Sequence, residues 1–361
     1  MILSDVTIRE GGQMPGRTYS LEERLAAGLA LDDLGVDYIQ PGFAVASEAD
    51  FGAIERLAPQ CDAKVVSLAR AVESDVERSL EADADVVEVF APVSRAQLTH
   101  MVDRSREEIL ASLESVFERV HDTSVEPHLT LVDAFRTELD HVVDVFERFP
   151  DVAYVGLADT VGGQTPDAVA AFLAALADRG VSLDRAGVHF HDDLGVATAN
   201  ALEAASAGVG KADVSVASLG ERAGNTALEE LVVAGVLSGT DGFGVRAESL
   251  VPVCREVLAA LGEDVDDRKA VLGPSVTHHE SGIHVAAMLS DPGVMEPFDP
   301  GRFGGSRTLM FGGKTGRSGA RKLLERVGRD PTAERVDRLI AKLDQAGPVE
   351  LDDALALADS V

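Results

Sequence analysis

Hydrophobic and polar positions along the chain alternate between two periods. Short apolar runs of period two predict strands over Ile2–Ile8, Val36–Gln40, Lys64–Ala69, Val86–Phe90, Val125–Leu131, Val152–Leu157, Gly187–Phe190 and Asp213–Val216. Apolar residues spaced three and four apart predict helices over Leu21–Leu34, Glu48–Leu57, Glu73–Glu81, Ser105–Val120, Arg136–Phe149, Asp167–Arg179, Val196–Ala207 and Thr226–Leu237. Helix-start chemistry agrees. Ser20 precedes Leu-Glu-Glu, Thr165-Pro166-Asp167 puts Pro in a first turn, and Ser105 is followed by Glu107 and Glu108.

Eight strand–helix pairs in about 240 residues match the size and order of an α/β (β/α)8 TIM barrel. An open doubly wound sheet is the competing arrangement. No Gly-x-Gly-x-x-Gly follows the first strand, which removes the usual dinucleotide reading. The count favours a barrel over residues 1–245. After that the beat breaks. Leu250–Leu261, Ala320–Val327 and Ala333–Gln345 read as helices around a Gly/Pro-rich stretch from Pro292 to Gly319. Residues 246–361 therefore read as a small C-terminal extension of helices and loops, covering the barrel mouth or contacting a partner subunit.

Composition narrows the partners. An apolar fraction of 45% supports a packed core. Acids outnumber bases 62 to 32, a formal charge of −30, and lysine is scarce. Such a surface fits a protein kept soluble in concentrated salt, a halophile-like pattern, and offers no basic face to nucleic acid or an anionic membrane. Cys61 and Cys254 are far apart with no CxxC, which predicts buried reduced thiols. No leader-like start or bilayer-length apolar run stands out, so a soluble cytoplasmic protein is expected.

Unusual polar residues gather where the carboxyl ends of the strands fall: Arg9, Glu10 and Gln13; Gln40; Arg70; Asp159 and Thr160; His189, His191 and Asp193; and Gly220–Asn225. Active groups of a barrel converge there. His189 and His191 are spaced i, i+2, so both imidazoles share one face of the seventh strand. Strands one and seven flank strand eight in a closed barrel, so Glu10 at the end of the first can meet them. One carboxylate and two imidazoles suit Zn, Mn, Co, Fe or Mg in a catalytic site. Non-haem iron oxygenases use the same ligand types, so the ligands leave the reaction open.

Three segments, Asp5-Val-Thr-Ile-Arg-Glu-Gly-Gly-Gln13, His189-Phe-His-Asp-Asp-Leu-Gly195 with Ala199-Asn200, and Gly220-Glu-Arg-Ala-Gly-Asn225, resemble signatures of the 2-isopropylmalate, homocitrate and citramalate synthase family. The resemblance implies a metal-dependent barrel enzyme that condenses acetyl-CoA with a 2-oxo acid, in amino-acid-type biosynthesis and as a homodimer. It implies a divalent metal (Mg, Mn, Zn or Co) held by Glu10, His189 and His191, joined by Asn225. By the same resemblance Arg9 stabilises the developing alkoxide, Gln13, Thr130 and Thr160 bind substrate, and His279 takes part in removing the acetyl methyl proton. Arg-Glu-Gly and Gly282-Ile283-His284 resemble the homocitrate branch, pointing to 2-oxoglutarate with Arg70 or Arg95 facing its distal carboxylate. Leucine feedback is not expected, because the chain is too short for the family's leucine-sensing domain.

Other residues depart from the pattern. Val132 stands where the family carries a glutamate, Gln97 where it carries a histidine, and Gln40 where it carries an acid. His128 shares the inward parity of Thr130 and Val132. The alternatives kept open are a carbon–carbon lyase or aldolase of the hydroxymethylglutaryl-CoA lyase type, and a metal- and oxo-acid-binding homologue with weak catalysis.

Overall fold

A computed structural model describes residues Met1–Val361, which form two compact units, Met1–Val265 and Asp266–Val361. In the first, eight parallel strands close into a barrel in chain order. They are β1 (Ile2–Asp5), β2 (Tyr38–Gly42), β3 (Lys64–Arg70), β4 (Val86–Pro92), β5 (Glu126–Val132), β6 (Tyr154–Asp159), β7 (Ala186–Phe190) and β8 (Lys211–Val214). Ser4 of β1 pairs with Tyr38 on one side and Asp213 on the other, so the sheet has no edge and the doubly wound alternative is excluded.

Strand positions of one parity, such as Val65, Val87, Leu129, Val155 and Val188, are fully or almost fully buried apolar residues. The other parity includes Gln40, Glu88, His128, Lys211 and Asp213, which are also buried. Glu88 on β4 touches side chains from β2, β5 and β8, which it can do only across the interior. The barrel is therefore dry outside, beneath its helices, and polar within.

The helices Leu21–Leu34, Glu48–Leu57, Glu73–Glu81 and Leu250–Leu261 have the predicted bounds. Ser20 and Ser105 each form a reciprocal capping box, with Glu23 and Glu108 respectively. The helix Leu250–Leu261 packs against Leu21–Leu34 and so belongs to the first unit.

The strand bounds shift from the periodicity by one or more residues, and two of the shifts have a clear local cause. The first strand stops at Asp5, not Ile8, and a one-turn helix, Thr7–Gly11, follows. The cause is local: the Asp5 carboxylate accepts from both the backbone N–H and the hydroxyl of Thr7, each at 2.9 Å, and turns the chain out of the sheet. Glu10 therefore sits on a helical turn above β1, not at a strand end. The second strand starts two residues late, at Tyr38, because Asp37 is spent on β1: its carboxylate accepts from Leu3 N at 3.0 Å.

In the second unit, β9 (His278–His279) and β10 (Thr308–Leu309) form a two-stranded parallel sheet. Helices Gly282–Met288, Arg317–Arg326, Ala333–Ala346 and Leu351–Asp359 bury Val285, Met288, Leu323, Leu339, Leu343 and Ala354 in one core. The acidic tail is thus a helix whose Ala354 and Ala358 face inward. No helix of the chain is long and apolar enough to cross a membrane.

Candidate metal centre

The turn after β1 is locked before it presents any chemistry. Thr7, held by Asp5, also accepts from the backbone N–H of Val216 at 2.8 Å, tying the turn to the segment after β8. This aims Glu10 inward, where it is 3% exposed. Ligand atoms of Glu10, His189 and His191 lie within 4.8 Å of one another. Nε2 of His189 is 3.6 Å from Glu10 Oε1, and the two imidazoles stand edge to face with centroids 5.1 Å apart.

Asn225 reaches the same place by a different route. The segment after β8 holds Ala217, Ser218 and Arg222 in left-handed conformations, a strain tolerated where a site needs a particular backbone path. Asn225 bridges His191 in antiparallel fashion, and its Nδ2 donates to Leu219 O at 3.2 Å, which turns Oδ1 the other way. Gly220 lets the loop pass, since a Cβ there would collide with Asn225 Nδ2 and lie 3.5 Å from Glu10 Cβ. Gly220→Ala is accordingly expected to weaken Mn2+ binding by about 10- to 100-fold, the usual cost of disturbing groups that orient ligands. Calorimetric titration checks this; unchanged affinity would separate the loop from the site.

Three atoms support a cation here. Glu10 Oε2, His191 Nδ1 and Asn225 Oδ1 are buried without hydrogen-bond partners, a state that buried polar atoms avoid unless a ligand satisfies them. Burial alone would raise the Glu10 carboxyl, but Arg9, His189 and His191 outweigh it and hold it at about 2. Burial and the neighbouring His189 push His191 down to about 3, so it is neutral near pH 7, the form that binds metals. His189 donates its Nδ1–H to Asp213 Oδ2 at 3.1 Å, which fixes the ring and leaves Nε2 toward Glu10. Asp213 and Glu10 together outweigh burial and raise the His189 pKa. These residues fit a divalent metal with one carboxylate, two imidazoles and an amide oxygen.

The other candidates are placed as follows. Arg9 is nearly buried, its Nη1 2.6 Å from Glu10 Oε1 and its Nε donating to Gln40 Oε1. Thr130 Oγ1 donates to Glu88 Oε1 at 2.5 Å, and Thr160 Oγ1 accepts from Asp133 N at 2.8 Å. Gln13 is exposed just beyond the Glu10 turn. Arg70 is committed to Asp75 through two bonds of 2.6 and 2.9 Å, and Asp133 grips Arg136 with two bonds of 2.7 Å. Arg95 is exposed beside a surface cleft of about 530 Å³ that also takes in His100 and Arg136. His279 belongs to the second unit, its Nε2 3.7 Å from Glu296, which Arg307 holds; His284 is exposed on the helix Gly282–Met288.

Two features are missing from the sequence reading: Asp213 behind His189, and the Glu88–Lys211 ion pair at 3.0 Å. The signal was a charge at inward parity in an otherwise apolar strand, Glu88 between Val87 and Val89 and Lys211 before Ala212. The pair also explains Gln40. Its amide oxygen accepts from Arg9 while its Nε2 donates to Glu88 Oε2 at 3.3 Å; a glutamate there would set two buried carboxylates against each other.

Residues 1–248 match the HMGL-like family model, and residues 271–349 match the model described as homocitrate synthase post-HMGL domain-like. The chain is 37% identical to a homocitrate synthase of Methanopyrus kandleri, over 96% of this chain and 88% of that protein. It is equally similar, 37%, to a protein of the same organism provisionally named (R)-citramalate synthase, over 95% of this chain and 68% of that one. Among solved structures, hydroxymethylglutaryl-CoA lyase from Pseudomonas aeruginosa superposes with a TM-score of 0.63 at 26% identity, over 74% of this chain and 95% of the lyase.

Proposed function

The chain belongs to the HMGL-like family, and from that premise we propose that it is an acyltransferase that condenses acetyl-CoA with a 2-oxo acid and hydrolyses the resulting thioester. The observation that carries the reading is the Glu10–His189–His191 cluster with its unsatisfied inward atoms, in a chain whose relatives are named as condensing synthases.

Glu10, His189 and His191, with Asn225, would hold the divalent metal. When bound, it would supply a Lewis acid that orients the oxo acid and polarises its carbonyl. Arg9, clamped between Glu10 and Gln40, offers a fixed positive group where negative charge grows on that oxygen, and its position costs no reorganisation during reaction. Thr160 and Gln13 are proposed to bind the oxo acid, with Thr130 beneath. Val132, half-buried at the end of β5, has no proton to transfer; His279, by its match to the family's post-barrel histidine, is proposed to take part in removing the acetyl methyl proton. In the balance of the reaction a methyl C–H proton leaves, a C–C bond forms at the keto carbon, the carbonyl oxygen gains a proton, and water cleaves the thioester to release the thiol. A homodimer, work in concentrated salt and a cytoplasmic location are part of the same proposal.

The lyase-type barrel is a second reading, because a lyase shares the fold. Free-thiol release separates the two. With Mn2+ or Mg2+ and acetyl-CoA, thiol is expected to appear only when a suitable 2-oxo acid is present. Tight metal binding without thiol release from any oxo acid would overturn the synthase reading.

A further inference from the structure

Directly beneath the Glu10, His189 and His191 side chains the barrel holds a buried ion pair that none of the steps above uses. Lys211 Nζ lies 3.0 Å from Glu88 Oε2 and 3.6 Å from Asp213 Oδ1, with both Lys211 and Glu88 side chains 2% exposed. Glu88 is the hub. It accepts from Thr130 at 2.5 Å and from Gln40 at 3.3 Å, and Gln40 in turn holds Arg9. Through Lys211 and Asp213 the same network reaches Nδ1 of His189. This layer is therefore the floor of the site and not a remote patch of core.

The floor is both filled and neutralised. The Lys211 stem lies over Gly187, where a Cβ would be 3.3 Å from Lys211 Cε, and Thr130 lies over Gly156, where a Cβ would be 2.5 Å from its hydroxyl. The missing side chains on β6 and β7 are replaced by Lys211 and Thr130, so depth that could receive a long substrate tail is occupied. The charge is also spent. Arg24 and Lys211 are the only buried arginine or lysine residues in the chain, and Arg24 is bonded to Pro41 O and Asp50. Burial alone would strip the proton from Lys211, but Glu88 and Asp213 outweigh it and keep the ammonium charged. Two carboxylates face that one ammonium.

Building on the oxo-acid reading, we propose that Glu88 and Lys211 set specificity, and that the substrate is a monocarboxylic 2-oxo acid with a short, uncharged side chain. A second carboxylate directed at this floor would meet Glu88 and Asp213 with no unpaired cation to offset its desolvation. The homocitrate-like segments point to 2-oxoglutarate, but Arg70 is held by Asp75, and Arg95 is exposed at the surface.

The test is binding as well as turnover. In saturating Mn2+, pyruvate, 2-oxobutyrate and 2-oxoisovalerate are titrated calorimetrically beside oxaloacetate and 2-oxoglutarate, with wild-type protein and Glu88→Gln. One or more monocarboxylates should bind at least about tenfold tighter than either dicarboxylate. Glu88→Gln releases part of the Lys211 charge and should narrow that ratio by about tenfold, both in Kd and in the kcat/KM ratio from thiol release. A wild-type protein that binds a dicarboxylate equally well or better overturns the inference and leaves the condensing reading standing. An unchanged ratio in folded Glu88→Gln also overturns it. If no oxo acid of either kind binds, the condensing reading falls and takes the inference with it.

Discussion

His191→Ala is expected to abolish stable metal uptake and, with it, turnover. His191 contributes a neutral imidazole whose Nδ1 is buried without a partner, beside Glu10 Oε2 and Asn225 Oδ1 in the same condition. Removing it leaves Glu10 and His189 as the only strong ligands on the barrel. Metal affinity should fall by more than about 100-fold, beyond the 10- to 100-fold typical of losing a group that merely orients a ligand. Losing several kcal/mol of charge stabilisation should lower kcat by roughly 10³-fold or more. Asp213→Asn makes the graded comparison. It removes the carboxylate behind His189 without touching a ligand, and should cost about 10- to 100-fold in affinity. Metal content after gel filtration, with calorimetric titration, reads both variants. Full occupancy in His191→Ala would show that the ligand set is wrong.

Lys211→Met is expected to be the most damaging single change to stability inside the barrel. Glu88 is completely buried, and the charge of Lys211 is the main influence holding its carboxyl well below the usual range against burial. Deleting the ammonium leaves the buried carboxylates of Glu88 and Asp213 with no cation between them, Glu88 keeping only neutral donors in Thr130 and Gln40. Breaking a buried pair from one side costs about 3–5 kcal/mol. The paired variant Glu88→Gln with Lys211→Met should recover most of that loss, because it removes both charges while keeping volume. Denaturant unfolding at fixed ionic strength is the appropriate measurement, since a chain of net charge −30 also responds to salt through its surface. A single Lys211→Met variant as stable as wild type would mean that the pair does not carry its charges in the folded protein.

Much of the fold is legible because its causes are local. The helices whose bounds agree are those with amphipathic spacing and a marked boundary: Ser20 with Glu23 starts Leu21–Leu34, and Gly35 in the left-handed region ends it. Where a side chain redirects the backbone, periodicity misleads. Thr7-Ile8 continues a strand pattern, but Asp5 and Thr7 form a turn, and the site depends on that turn because it carries Arg9 and Glu10. The helix Leu351–Asp359 hides for the opposite reason. Its pattern is short and acidic, and it becomes a helix only by packing Ala354 and Ala358 into a core assembled from distant segments.

The sequence by itself determined the alternation of strands and helices, the shared face of His189 and His191, and the motifs that identify the family. Each depends on spacing within one segment, and spacing is visible in one dimension. Only the tertiary structure decided that Glu10 stands within 4.8 Å of both imidazoles, that Arg70 belongs to Asp75, and that Gln40 links Arg9 to Glu88. It alone joined Glu88 to Lys211, residues 123 apart, because closing the barrel turns β4 and β8 to face one interior. A charge buried among apolar neighbours reads in sequence as an exception; its partner, and therefore its purpose, is set by which strands the closed sheet brings opposite it.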